Sequence, residues 1–150
     1  MRVYLPLHPE DRPTLLAARR EIDLPAGREA WGVTPEARAD RPQEDLEDLE
    51  YDAIQDAVHV ALQSSAPEAR ALVIALDVAD AAVEPATGTG GAYGVRLRTG
   101  ARGVIASFHV TEQDARSAEA DDTDPALLWF DAAEGPGALV HLDRPGDQRR

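Results

Sequence analysis

Apolar residues recur along this chain with two different periods, and the switches between them divide it into predicted strands and helices. Val3, Leu5 and Leu7 alternate with Tyr4 and Pro6, which predicts a first strand with Pro6 marking an edge or an early end. Asp11 and Pro13 then open a predicted helix carrying Leu15, Leu16, Ala18 and Ile22, and Pro25-Ala26-Gly27 turns the chain. Glu29 to Val33, around Trp31, reads as a second short strand. Thr34-Pro35-Glu36 supplies a capping hydroxyl, a proline suited to the first helical position and an early acid, the residues of a helix start.

The strongest periodic signal runs from Gln43 to Gln63, where Leu46, Leu49, Ala53, Ile54, Ala57, Val58, Ala61 and Leu62 recur at steps of three and four. This predicts one long amphipathic helix. Pro67 blocks its continuation, and the unbroken apolar run Ala71-Leu72-Val73-Ile74-Ala75-Leu76 is expected of a central strand covered on both faces. Asp80 to Gly91 is small, polar and glycine-rich, which predicts a loop. Tyr93, Val95 and Leu97, then Val104, Ala106, Phe108 and Val110, alternate with other residues on either side of Thr99-Gly100-Ala101-Arg102, the pattern of a hairpin. Thr111 with Asp114 marks a short helix through Ala120, and Leu127-Leu128-Trp129-Phe130 returns to strand character.

This order predicts a single α+β domain over residues 1–143 followed by a disordered tail over 144–150. The expected architecture is a two-layer sandwich on a mixed β-sheet of about five to six strands, with doubly wound α/β as the alternative. A chain of 150 residues, 43% of them hydrophobic, suits one domain and buries about 70% of its unfolded surface without metal or disulfide staples.

Composition then narrows the chemistry. Cysteine is absent, which excludes disulfides, thiolate metal sites and cysteine nucleophiles. All 15 basic residues are arginine, and without lysine there is no Walker-type phosphate loop and no lysine Schiff base. The net charge of −13 disfavours direct binding to nucleic acid or to an anionic membrane surface. With no secretory-type apolar segment ahead of Val3 and no aliphatic run long enough to span a bilayer, a cytoplasmic location is expected.

The remaining motifs are weak. Thr87-Gly88-Thr89-Gly90-Gly91 has the wrong spacing for a dinucleotide loop and leads into a strand, so a loop is the better reading. His8, His59, His109 and His141 match no zinc spacing, and Asp121, Asp122 and Asp124 lack the glycine and terminal glutamate of a calcium loop, so no metal and no cofactor is implied. No serine lies in a nucleophile-elbow context. Asp77 and Asp80, at the end of the central strand, with Arg96 and Arg98 on the predicted hairpin, form an alternative pocket for a small acid–base or metal-assisted enzyme.

Charge is most concentrated on the long helix. It carries Glu44, Asp45, Glu47, Asp48, Glu50, Asp52 and Asp56, with no arginine between Arg41 and Arg70. The like-charged pairs Glu44/Asp48, Asp48/Asp52 and Asp52/Asp56 each oppose the helix by roughly 0.2–0.5 kcal/mol. Apolar burial, arginines elsewhere in the fold, or a partner with a basic surface must compensate. The leading expectation is a non-enzymatic protein-binding or regulatory module that uses Glu44, Glu47, Asp48, Asp52 and Asp56, with Trp31 or Trp129 as exposed contacts. Mimicry of nucleic-acid charge is a weaker third reading, and the oligomeric state stays open.

Met1-Arg2-Val3-Tyr4-Leu5-Pro6, Val33-Thr34-Pro35, Asp45-Leu46-Glu47-Asp48-Leu49-Glu50-Tyr51, Val73 to Val83 and Leu127-Leu128-Trp129-Phe130-Asp131 together resemble an uncharacterised actinobacterial family of unknown function. The resemblance runs over most of the chain and implies no activity.

Overall fold

The computed structural model describes residues 1–86, 91–98 and 100–145. Eight strands, β1 (Arg2–Pro6), β2 (Glu21–Leu24), β3 (Glu29–Gly32), β4 (Leu72–Asp77), β5 (Val83–Pro85), β6 (Gly94–Leu97), β7 (Ala101–Thr111) and β8 (Leu127–Asp131), join one sheet. Five α-helices accompany them: α1 (Arg12–Leu16), α2 (Pro35–Asp40), α3 (Leu46–Gln63), α4 (Ala115–Glu119) and α5 (Gly135–Leu142). Across the sheet the order is β2-β7-β4-β1-β3-β6-β5, with β8 also paired to β7. Every described pair is antiparallel, so the sheet is not mixed, not doubly wound and wider than the five to six strands expected.

The predicted central strand is central: β4 lies between β1 and β7 and is buried from Leu72 to Leu76. Alternation sends Leu72, Ile74 and Leu76 into one apolar cluster and Val73 and Ala75 into another. The first cluster is closed by Leu15 of α1 and by Ala138 and Leu139 of α5. The second is closed by α3, whose Leu49, Ala53, Ile54, Ala57, Val58 and Leu62 pack on Tyr4, Trp31, Val73 and Ala75. Helices therefore cover both faces, giving three layers where two were expected.

Three local expectations are corrected. The helix predicted through Ile22 stops at Leu16, because Ala18 takes a left-handed backbone (φ 53°) and turns the chain back into β2, where Ile22 is a buried strand residue. The predicted hairpin does not form: β6 pairs with β3 and β5, while β7 pairs with β4, β2 and β8. The 80–91 loop contains a 3-10 turn over Asp80–Ala82 and strand β5, and its segment 87–90 lies outside the described residues, as does 146–150 of the predicted tail. Gly135-Pro136-Gly137 opens α5. A Cβ on Gly135 would sit 2.5 Å from the Leu15 carbonyl oxygen, so glycine permits α5 to approach α1.

Caps follow the sequence more closely. Thr34 caps α2, its Oγ1 accepting from the Ala37 amide (3.1 Å). Asp114, not the expected Thr111, caps α4 by accepting from the Ser117 amide (2.8 Å), while Thr111 ends β7. Helix α3 starts at Leu46, with Asp45 in extended conformation as its N-cap residue, three residues beyond the expected Gln43. Among the described residues no helix is long and apolar enough to cross a membrane.

One buried ion pair ties the start of the chain to β3. Arg28 donates to both carboxylate oxygens of Asp11 (3.2 and 2.8 Å) and to the Pro6 carbonyl (2.9 Å), with side-chain exposures of 4% and 5% for Arg28 and Asp11. Asp11 also accepts from the His8 amide (2.8 Å). Removing one partner strands the other charge in the interior. Asp11→Ala and Arg28→Met are each expected to lower stability in urea denaturation by about 3–5 kcal/mol, and the double variant by less than their sum.

Candidate functional site

Helix α3 packs over β1, β3 and β4 and touches the same face of β7 and β8 only sparsely. Alternation and register fix which side chains emerge there. Arg2 lies opposite Asp77, Tyr4 opposite Ala75, Ser107 opposite Ala75, and His109 between Val73 and Trp129. With Glu47, Glu50, Tyr51 and Ile54 of α3 as the facing wall, they bound a cleft of about 290 Å³. Trp129 is 62% exposed and Tyr51 50%, a pair of large aromatic surfaces open to solvent on one groove.

The cleft floor is polar and internally paired. Ser107 Oγ lies 2.9 Å from His109 Nε2. Burial, and secondarily the Arg2 charge, pull the His109 imidazole down to about 4, so it is neutral at pH 7. The Tyr4 hydroxyl is pushed up to about 12 by burial and then by Glu50. Arg2 grips Asp77 through Nε (2.7 Å) and Nη2 (3.2 Å), which holds that carboxyl below its ordinary range.

A second cavity, of about 360 Å³, lies on the other flank of α3 and is lined by Arg41, Asp52, Gln55, Asp56, His59, Tyr93 and Asp124 among others. Tyr51 separates the two, its hydroxyl donating to Asp124 (3.0 Å). Arg41 donates to the Tyr93 hydroxyl (3.1 Å), places its guanidinium carbon 5.7 Å from that ring centre, and stands 3.8 Å from Glu44 and 3.9 Å from Asp52.

The acidic residues singled out by sequence thus divide. Glu44 and Asp52 meet Arg41 at long ion-pair distances, and Asp56 sits half-buried beside them, its carboxyl raised by burial and then by Asp52. Glu47 and Asp48 are exposed and make no ion pair among the described residues. Of the two tryptophans, Trp31 is 1% exposed and belongs to the core, correcting its expected surface role, while Trp129 is open.

The four residues of the alternative pocket do not share a cavity. Asp77 binds Arg2, Asp80 takes the Met1 amine (2.9 Å), and Arg98 faces Glu84 (3.6 Å). Arg96 lies in register between Glu29 and Glu84. Asp80 and Arg98 line one cavity of about 520 Å³ that includes neither Asp77 nor Arg96. Among the described residues no three His, Asp or Glu side chains are arranged to hold a metal ion.

Sequence reasoning did not anticipate Ser107, His109 and Tyr51 as cleft residues. Ser107 and His109 are polar members of one strand face two positions apart, and that spacing was their legible signal.

Fold and surface together define an antiparallel α/β domain whose main helix is flanked by two polar grooves. The chain belongs to a family of unknown function, DUF6912, whose model matches residues 1–139. Neither a curated protein nor a solved structure matches it.

His109 makes the cleft acid-sensitive. Its folded value lies below the ordinary 6.5, so as pH falls the unfolded chain takes up the proton first, and stability present above pH 6.5 is lost toward about 4. Between pH 7 and pH 5 this group is expected to remove about 2 kcal/mol. Urea denaturation of the wild type and of His109→Gln at both pH values measures it; identical pH dependence in the two proteins contradicts it.

Proposed function

We propose that this domain is a non-enzymatic cytoplasmic protein-binding or regulatory module, in which the acidic face of α3 and the adjoining Trp129 receive a basic segment of a partner protein. The observation that carries this reading is the coincidence, on one cleft, of Glu47 and Glu50 with the exposed rings of Tyr51 and Trp129. Carboxylates beside open aromatic faces suit a cationic side chain, which gains Coulomb attraction from the first and cation–π contact from the second. Glu47 and Asp48, lacking cations of their own among the described residues, are the groups with most to gain from such a partner. The net charge of −13 adds long-range attraction for a basic partner and repels phosphate backbones.

The reading of Asp77 and Asp80 as an acid–base pair draws less support, since each is exposed and already engaged by a cation of the same chain.

Titration with a peptide rich in both lysine and arginine, followed by Trp129 emission, tests the binding reading. Saturable binding is expected to weaken as salt rises, and about tenfold, or 1.4 kcal/mol, when Glu47 and Asp48 are changed together to Gln and Asn. Trp129→Ala, followed by isothermal titration calorimetry because it removes the fluorescent reporter, is expected to cost a further factor of about five, in keeping with a cation–π contact of about 1 kcal/mol. Affinity unchanged by both variants removes this face from the functional account.

A further inference from the structure

The cavity beyond Tyr51 gathers more acceptors than the described residues supply donors for. Asp52, Asp56 and Asp124 bring carboxylates to it, and Gln55 lines it as well. Gln55 is 6% exposed, and its Oε1 is buried without a hydrogen-bond partner. A buried carbonyl oxygen in that state is costly and rare, and it points to a donor that arrives from outside. The Tyr51 hydroxyl, which interacts with the Gln55 side chain, is committed to Asp124.

The backbone presses on this spot too. Gly91 has φ +89°, and a Cβ there would stand 2.2 Å from Asp56 Oδ2, so glycine lets the chain close over the Asp56 carboxylate. The result is a half-buried acid beside a second acid, with the nearest guanidinium, Arg41, outside hydrogen-bond distance of Asp52 at 3.9 Å.

Arg41 also displays the chemistry the cavity accepts. Its guanidinium lies against the Tyr93 ring and donates to the Tyr93 hydroxyl, and it stays 3.9 Å from Asp52. A planar fork with five N–H donors can bridge acceptors spread around a cavity and keep one face for an aromatic ring; an ammonium group presents a compact charge and cannot do both.

We propose that this cavity takes an arginine side chain of a partner protein, its guanidinium bridging Asp52, Asp56 and Gln55 Oε1 in competition with Arg41. The inference rests on the reading of α3 as a binding face and adds the side chain that the partner inserts.

The test is an NMR titration of the whole chain with capped Gly-Arg-Gly, set against capped Gly-Lys-Gly and the neutral Gly-citrulline-Gly. Shifts centred on Gln55, Asp56 and Tyr93 are expected, with the arginine peptide at least fivefold tighter than lysine and citrulline silent. Gln55→Leu and Asp56→Asn should each weaken binding about tenfold, and Asp124→Asn, at an exposed position that does not threaten folding, about threefold. Arg41→Gln should tighten binding about threefold. Arg19→Gln makes the same charge change after α1, on the opposite face of the sheet, and should leave binding unaltered. Equal affinity for the lysine peptide, equal tightening by Arg19→Gln, or shifts located elsewhere overturn the proposal. If the arginine tripeptide is silent while the long basic peptide still perturbs Trp129, the cavity proposal fails and the binding face stands. If both are silent, both fail.

Discussion

The sheet is wider than the helix laid across it. Seven strand positions about 4.8 Å apart span roughly 29 Å, whereas α3, though about 27 Å long, is only about 10–12 Å across with its side chains. It packs over β1, β3 and β4, and on the same face of β7 and β8 His109 stays partly and Trp129 largely exposed. Ser107 and His109 lie on that face of β7, and Arg2 at the start of β1 and Asp77 at the end of β4 stand nearby at strand ends, where each polar group keeps a partner. The opposite face has no such gap where α1 and α5 lie, and its inward positions on β4 and β7 are Leu, Ile, Phe and Val. The cleft lined by His109 and Trp129 is a consequence of this shortfall in cover.

Arginine is distributed according to the same geometry. Arg28 is buried with Asp11, and Arg2, Arg12 and Arg102 grip Asp77, Asp143 and Asp23 at the surface. These pairs fasten distant parts of the chain: Arg2 to the end of β4, Arg12 to the C-terminal end of α5, Arg102 to β2. Exposed pairs of this kind contribute little individually; the buried one is a much stronger constraint. Beside the acids of α3 and the segment before it, Arg41 reaches Asp52 and Glu44 only at distances too long for hydrogen bonds, and Arg2, which shares a cleft with Glu50, is already held by Asp77. Local charge on that helix is therefore a property of the folded surface as well as of composition.

Much of the framework was legible because it rests on short-range pattern. The alternation in β1, the apolar run of β4, the capping signal at Thr34 and the three-four spacing of α3 each describe an element set by its own residues. The misreadings occur where tertiary pairing overrode local preference. Ile22 continues a helical spacing but is drawn into β2 by pairing with β7. Residues 93–97 and 101–110 look like partners across a glycine, yet the stronger mates of β6 are β3 and β5, and β7 is long enough to hold β2 and β8 in tandem along one edge and β4 along the other.

The amino-acid sequence by itself determined the absence of cysteine and lysine chemistry, the central strand, and the concentration of carboxylates on α3, because each is a matter of composition or of spacing within one element. Only the tertiary structure decided that Trp31 is core while Trp129 is open, that Asp77 and Asp80 are held by different cations, and that Gln55 is buried without a donor beside Asp52 and Asp56. Those outcomes depend on which strands neighbour one another and how far one helix reaches across them, and both are set by long-range packing.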